Sequence, residues 1–181
     1  MKKILITIAA AFAAVTMNAQ VFVGGSIGVG SFKVGGGDAE TCYKFIPEVG
    51  YNLNDEWAIG LTLGYSKGTC SLINTQFDQD VTTELFQICP YARYTFLKTK
   101  YVNAFVDGGL GFGSFKDQGT LFSLGLKPGV AVNLTEALSF VTHVGFVGMQ
   151  NFSPKGGGKS STNVGVDVDN SNVSFGLYYN F

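Results

Sequence analysis

Six side chains spread along the chain are of the types that hold or move charge in a shared site: Lys44, Glu48, Arg93, Asp107, Lys127 and His143. His143 is the only histidine. A hydrolytic triad needs a histidine beside a nucleophile and held by a carboxylate; a zinc centre needs several His, Cys or carboxylate ligands. A lone histidine without motif-spaced partners supports neither, so His143 reads as one member of a polar network. The glycine-rich stretches 24–30 and 108–113 lack the spacing and the following helical pattern of a phosphate loop. Asp167-x-Asp169-Asn170 has part of a calcium-loop spacing but no matching glycine or distal glutamate. No enzyme activity, cofactor or metal is expected.

What brings the six together is a period of two. Trp57, Ile59, Leu61, Leu63 and Tyr65 alternate with Ala58, Gly60, Thr62, Gly64 and Ser66. Such alternation is a strand with two unlike faces. The same pattern predicts strands over 21–33, 42–53, 57–68, 82–96, 101–116, 121–134, 138–150 and 173–181. In each, one face is apolar and aromatic, while the other is small or polar and carries the six charged or titratable residues. Phe146 falls on the apolar face with Leu138, Phe140 and Val144. Turns after the second, fourth and sixth strands are tight. Those after the first, third and seventh are longer, and 151–171 reads as the longest loop. Pro47, Pro90 and Pro128 recur in matching places before the tight turns. Proline inside a strand marks an edge or a bulge, and three in step suggest a bulge or a shared kink.

Charged residues make up only 14% of the chain, aromatics also 14%, and glycines number 25. That charge content is low for a water-facing surface. A net charge of −1 argues against a nucleic-acid partner. Met1-Lys2-Lys3, an apolar run to Val15 and a small residue at Ala19 form a secretory signal peptide over 1–19. The mature domain is then 20–181, exported and apolar but without a spanning helical segment, and only a closed barrel crosses a bilayer on those terms. The apolar-face aromatics sort into two bands, one near the tight turns and one near the long loops, as bilayer interfaces demand.

The chain ends on Phe175-x-Leu177-x-Tyr179-x-Phe181. This resembles the C-terminal signature of bacterial outer-membrane β-barrels, which in that family is read by the barrel-assembly machinery. The whole mature chain is similar to the small barrels of the OmpA/OmpX type. The resemblance implies an all-β, eight-stranded antiparallel up-and-down transmembrane barrel in the bacterial outer membrane. It implies outer-membrane lipid and the assembly machinery as partners, and a structural or surface-contact role through the loops. The alternative is a narrow porin-like channel for small solutes.

Eight strands leave a lumen that side chains can fill. Charges there must be paired. Asp107 is expected between Arg93 and Lys127 on neighbouring strands, with Glu48 reaching in from the opposite wall. Cys42 and Cys70 share inward parity at the loop-side ends of adjacent strands, where an exported protein can form a disulfide. Cys89 is left as the odd thiol.

Overall fold

The computed structural model describes residues 20–32, 40–67, 84–167 and 173–181. Within them the chain forms ten strand segments: β1 (Val21–Phe32), β2 (Glu40–Asn52), β3 (Trp57–Lys67), β4 (Glu84–Lys98), β5 (Val102–Phe115), β6 (Gly119–Asn133), β7 (Leu138–Val144), β8 (Phe146–Pro154), β9 (Ser161–Asp167) and β10 (Val173–Asn180). Every pairing is antiparallel; most join sequence neighbours, β6 also pairs with β8 and β7 with β10, and β1 pairs with β10. The sheet therefore closes on itself. β7 with β8, and β9 with β10, each make one interrupted stave, which gives eight staves in all.

The tight turns are set by one polar residue each. Asn54 Oδ1 accepts the backbone N–H groups of Glu56 (2.9 Å) and Trp57 (2.8 Å). Thr99 Oγ1 accepts from Val102 N at 2.9 Å, and Thr135 Oγ1 accepts from Leu138 N at 2.9 Å. Side chains of this kind stand in for backbone partners where the ladder reverses. Closure is completed at the chain end, where Phe181 N donates to Val21 O at 3.0 Å.

Apolar faces point outward. Trp57 packs against Tyr94 and Tyr179 against Phe181 near the turns; Tyr43 packs against Tyr65 and Phe112 against Phe122 nearer the loops. Exposed Ile59, Leu63, Ile88, Leu110, Leu124 and Leu126 fill the band between. A soluble sheet would bury that face; a membrane barrel offers it to lipid.

The structure corrects three expectations about the strands. Gly145, at φ 78°, separates β7 from β8. Pairing passes from Gly129↔His143 to Leu126↔Val147, so strand seven holds one extra residue there. That bulge inverts the parity beyond it. Val147 turns outward, and Phe146, expected on the outer face, turns in over Gly125. The stretch 151–171 is not one loop, because β8 runs to Pro154 and β9 returns from Ser161 beside it. Finally, of the three prolines only Pro128 lies opposite a register shift. At Pro47 and Pro90 the ladder omits a step on one side and resumes in the same register, as the missing N–H requires.

Pairing between β1 and β10 runs from Phe22↔Asn180 to Gly25↔Leu177. Beyond Gly25, no pair joins β1 to the last stave among the described residues, and β9 bonds only to β8.

Candidate functional site

The lumen is occupied at mid-height by a layer centred on Arg93. Strand register places Arg93 directly across from Asp107. The guanidinium meets that carboxylate with two hydrogen bonds, Nε to Oδ1 at 2.7 Å and Nη2 to Oδ2 at 2.8 Å. This fork-on-fork geometry is the strongest that an Arg–carboxylate pair adopts. Glu48 reaches from β2 to within 3.4 Å of Arg93 Nη2 and accepts a hydrogen bond from the Tyr91 hydroxyl. His143 Nε2 lies 2.8 Å from Asp107 Oδ2, and donates in the tautomer protonated there. Arg93 and Asp107 are only 8% and 6% exposed, although neither faces the outside of the barrel.

Four aromatic rings pack around the guanidinium. Its Cζ stands 3.9 Å from the centre of the Phe105 ring, 5.3 Å from Tyr178, 5.4 Å from Tyr91 and 5.5 Å from Phe22. Phe22 and Tyr178 stack at 5.6 Å, and His143 meets the Phe105 ring edge-on at 5.4 Å. Planar Arg is suited to such stacking, whereas a point-charge Lys is not.

Inward rings of this size fit because a glycine lies directly across the ladder from each. The register pairs Phe22 with Gly50, Gly60 with Tyr91, Phe105 with Gly129 and Gly24 with Tyr178. A β-carbon on Gly50 would lie 2.1 Å from the Phe22 ring, and one on Gly60 would lie 2.3 Å from that of Tyr91. These rings carry the layer, and the inward alternation placed them without assigning them a role. Their signal was an inward aromatic facing a glycine on the next strand, which is visible only once the register is known.

Two of the six network residues stand apart. Lys127 is opposite Asp107 in register, yet Asp107 spends both oxygens on Arg93 and His143. The expected Asp107–Lys127 ion pair is absent among the described residues, and Lys127 is exposed within the loop-side cavity. Lys44 lines that cavity too. At the loop-side rim Glu84 bridges Lys67 (3.3 Å) and Lys116 (3.2 Å).

The layer divides the lumen into two chambers. Toward the loops lies a cavity of about 310 Å³ whose lining includes Lys44, Gln87, Cys89, Lys127 and Phe146. Toward the turns lies one of about 740 Å³ lined by Asn52, Lys98, Asn103, Asn133 and Asn180 among others. Val141 and Tyr178 border both.

Cys89 is a free thiol. Cys70 and the side chain of Cys42 lie outside the described residues, as do Asp169 and Asn170. Among the described residues no group of three or more His, Cys, Asp or Glu side chains is placed to hold a metal. In the closing strand, Phe175, Leu177 and Tyr179 all face outward.

The match to the family model described as "Outer membrane protein beta-barrel domain" spans residues 4–181. The chain belongs to the outer membrane protein β-barrel family. Its place is accordingly the bacterial outer membrane. Solved structures of similar fold include Neisserial surface protein A, 17% identical over 90% of this chain and 95% of that one, with a TM-score of 0.48. The N-terminal barrel domain of Pseudomonas aeruginosa OprF is 14% identical over 91% and 98%, at 0.46. Outer Membrane Protein W of E. coli is 15% identical over 90% and 97%, at 0.47. No curated protein matches the sequence.

Proposed function

We propose that this is a non-enzymatic outer-membrane barrel that serves as a scaffold and makes surface contacts through its loops, with its lumen shut by the Arg93 layer. The observation that carries this reading is the bidentate Arg93–Asp107 pair, buried at the centre of the lumen and packed on Phe105. A filled, fully bonded cross-section leaves no continuous water path. In this reading residues 1–19 direct export, outer-membrane lipid covers the aromatic bands, and the assembly machinery reads the closing strand.

The expected result in planar bilayers is little steady conductance for the wild type. A large, stable conductance unaffected by substituting Asp107 would overturn the closed-lumen reading. Two chambers separated by a single layer favour one second reading, a narrow gated channel. That reading predicts brief openings which Arg93→Ala converts into a steady current.

Deleting Phe181 removes both the backbone donor to Val21 and the ring packed at 4.9 Å on Tyr179. The truncated chain should give less heat-modifiable barrel on gels. Normal assembly rate and yield would remove Phe181 from the closing signal.

A further inference from the structure

We propose that the turn-side chamber binds a neutral saccharide, held by a ring of uncharged side chains between the tight turns and the Arg93 layer. The chamber opens among those turns, which are the periplasmic side of such barrels. Asn52, Thr95, Asn103, Asn133, Ser139 and Asn180 line it, one from each of β2, β4, β5, β6, β7 and β10. At about 740 Å³ it is of the size that takes a small ligand.

Charge does not select that ligand. Arg93 at the floor is already held by Asp107 and Glu48. Lys98 bonds Asp55 at 2.7 Å, and Lys100 and Glu136 stand exposed on their turns at the mouth. Among the described residues, then, the chamber holds no unmatched charge inside its mouth, and selection falls to hydrogen bonds.

The ring is fixed in orientation and only half spent. Asn133 is held at both ends: its Nδ2 donates to Lys100 O at 3.2 Å, and its Oδ1 accepts from Ser139 Oγ at 3.0 Å. Asn180 Nδ2 donates to Ala137 O at 3.4 Å, which leaves Oδ1 as an acceptor. Asn103 Oδ1 accepts from Thr99 N at 3.2 Å, which leaves Nδ2 as a donor. The side chains of Asn52 and Thr95 make no hydrogen bond among the described residues. Donors and acceptors thus alternate around a wall. Sugar hydroxyls both donate and accept, and neighbouring ones on a ring present the two functions side by side, so they answer such a wall. A bound peptide would instead need the open edge of a sheet. At this end of the barrel every stave is paired on both sides.

The inference rests on the Arg93 layer as the chamber's floor. A leaking floor appears as conductance, whereas an empty chamber appears as unmoved asparagine signals, so the two failures are told apart. The mature chain is isotope-labelled and refolded in dodecylphosphocholine micelles, whose head group is not a sugar. NMR then follows the side-chain amides. Maltose and N,N′-diacetylchitobiose should shift those of Asn52, Asn103, Asn133 and Asn180, saturating at roughly millimolar concentration. The amide of Asn151, bonded to Thr162 on the loop side, should stay still. The tighter of the two sugars names the source, a free glucan fragment or an N-acetylated glycan. Asn52→Ala and Thr95→Val break no bond of the ring, so both should stay heat-modifiable. Each should weaken binding about fivefold, the worth of one hydrogen bond. No shift with either sugar overturns the site, and so does unchanged affinity in both folded variants. Equal shifts with triglycine overturn the saccharide, and tighter binding of glucose 6-phosphate than of glucose overturns the neutral ligand.

Discussion

Asp107→Ala should destabilise the barrel by about 3–5 kcal/mol, the usual cost of breaking a buried ion pair from one side. Among the described residues the substitution leaves the Arg93 guanidinium with Glu48 at 3.4 Å as its one carboxylate partner, and it also removes the Asp107 oxygen that His143 Nε2 meets. Glu48 cannot replace what is lost, because its Oε1 already accepts from Tyr91 and it meets Arg93 at one nitrogen only. The control is removal of all three charges. Arg93→Met with Asp107→Leu and Glu48→Gln leaves no orphan charge in the layer and should lie above the single mutant in stability, since replacing a whole buried ion group by neutral ones is often near neutral. Urea unfolding of the refolded protein in vesicles measures all three. A single mutant within about 1 kcal/mol of wild type would mean that water reaches Arg93, and the closed lumen would fall with it.

Most of the wall was legible from alternation, because a barrel stave has only two faces and each has its own solvent. The turns were legible for a similar reason: Asn54, Thr99 and Thr135 are residues that bond locally where a ladder must reverse. The bulge at Gly145 was not. Glycine breaks no alternation that can be read, yet one inserted residue exchanges the faces of everything after it, and Phe146 moved from lipid to lumen. β9 escaped because Val164-Gly165-Val166 is too short an alternation to stand out in a Gly-, Ser- and Lys-rich stretch.

At the site, inward parity found all six charged or titratable residues but could not rank their partners. Register leaves Asp107 between Arg93 on one side and Lys127 on the other. The choice falls to shape: a guanidinium offers two parallel donors and a flat face for Phe105, and an ammonium offers neither. The same preference leaves Lys127 lining the loop-side chamber.

Gly50→Leu should lower stability by about 1–3 kcal/mol through overpacking, and more if the staves cannot spread. Glycine at position 50 exists to receive a ring. Any β-carbon there would sit 2.1 Å from Phe22, and the three nearest atoms all belong to that ring. The backbone is not the obstacle, since no main-chain atom is among those three neighbours. Phe22 therefore has to move, and it cannot move alone. It stacks on Tyr178 at 5.6 Å, and both rings lie beside the Arg93 guanidinium. Displacing it loosens the aromatic collar around a buried charge. Because the conflict lies in a side chain, it is reversible from the other strand: Phe22→Ala should partly rescue Gly50→Leu, with the leucine filling the space the ring vacates across the Phe22↔Gly50 pair. A double-mutant cycle of the two should give a favourable coupling of about 0.5–3 kcal/mol. Simple additivity of the two single mutants would show that Gly50 serves the bend of its own strand rather than the ring opposite.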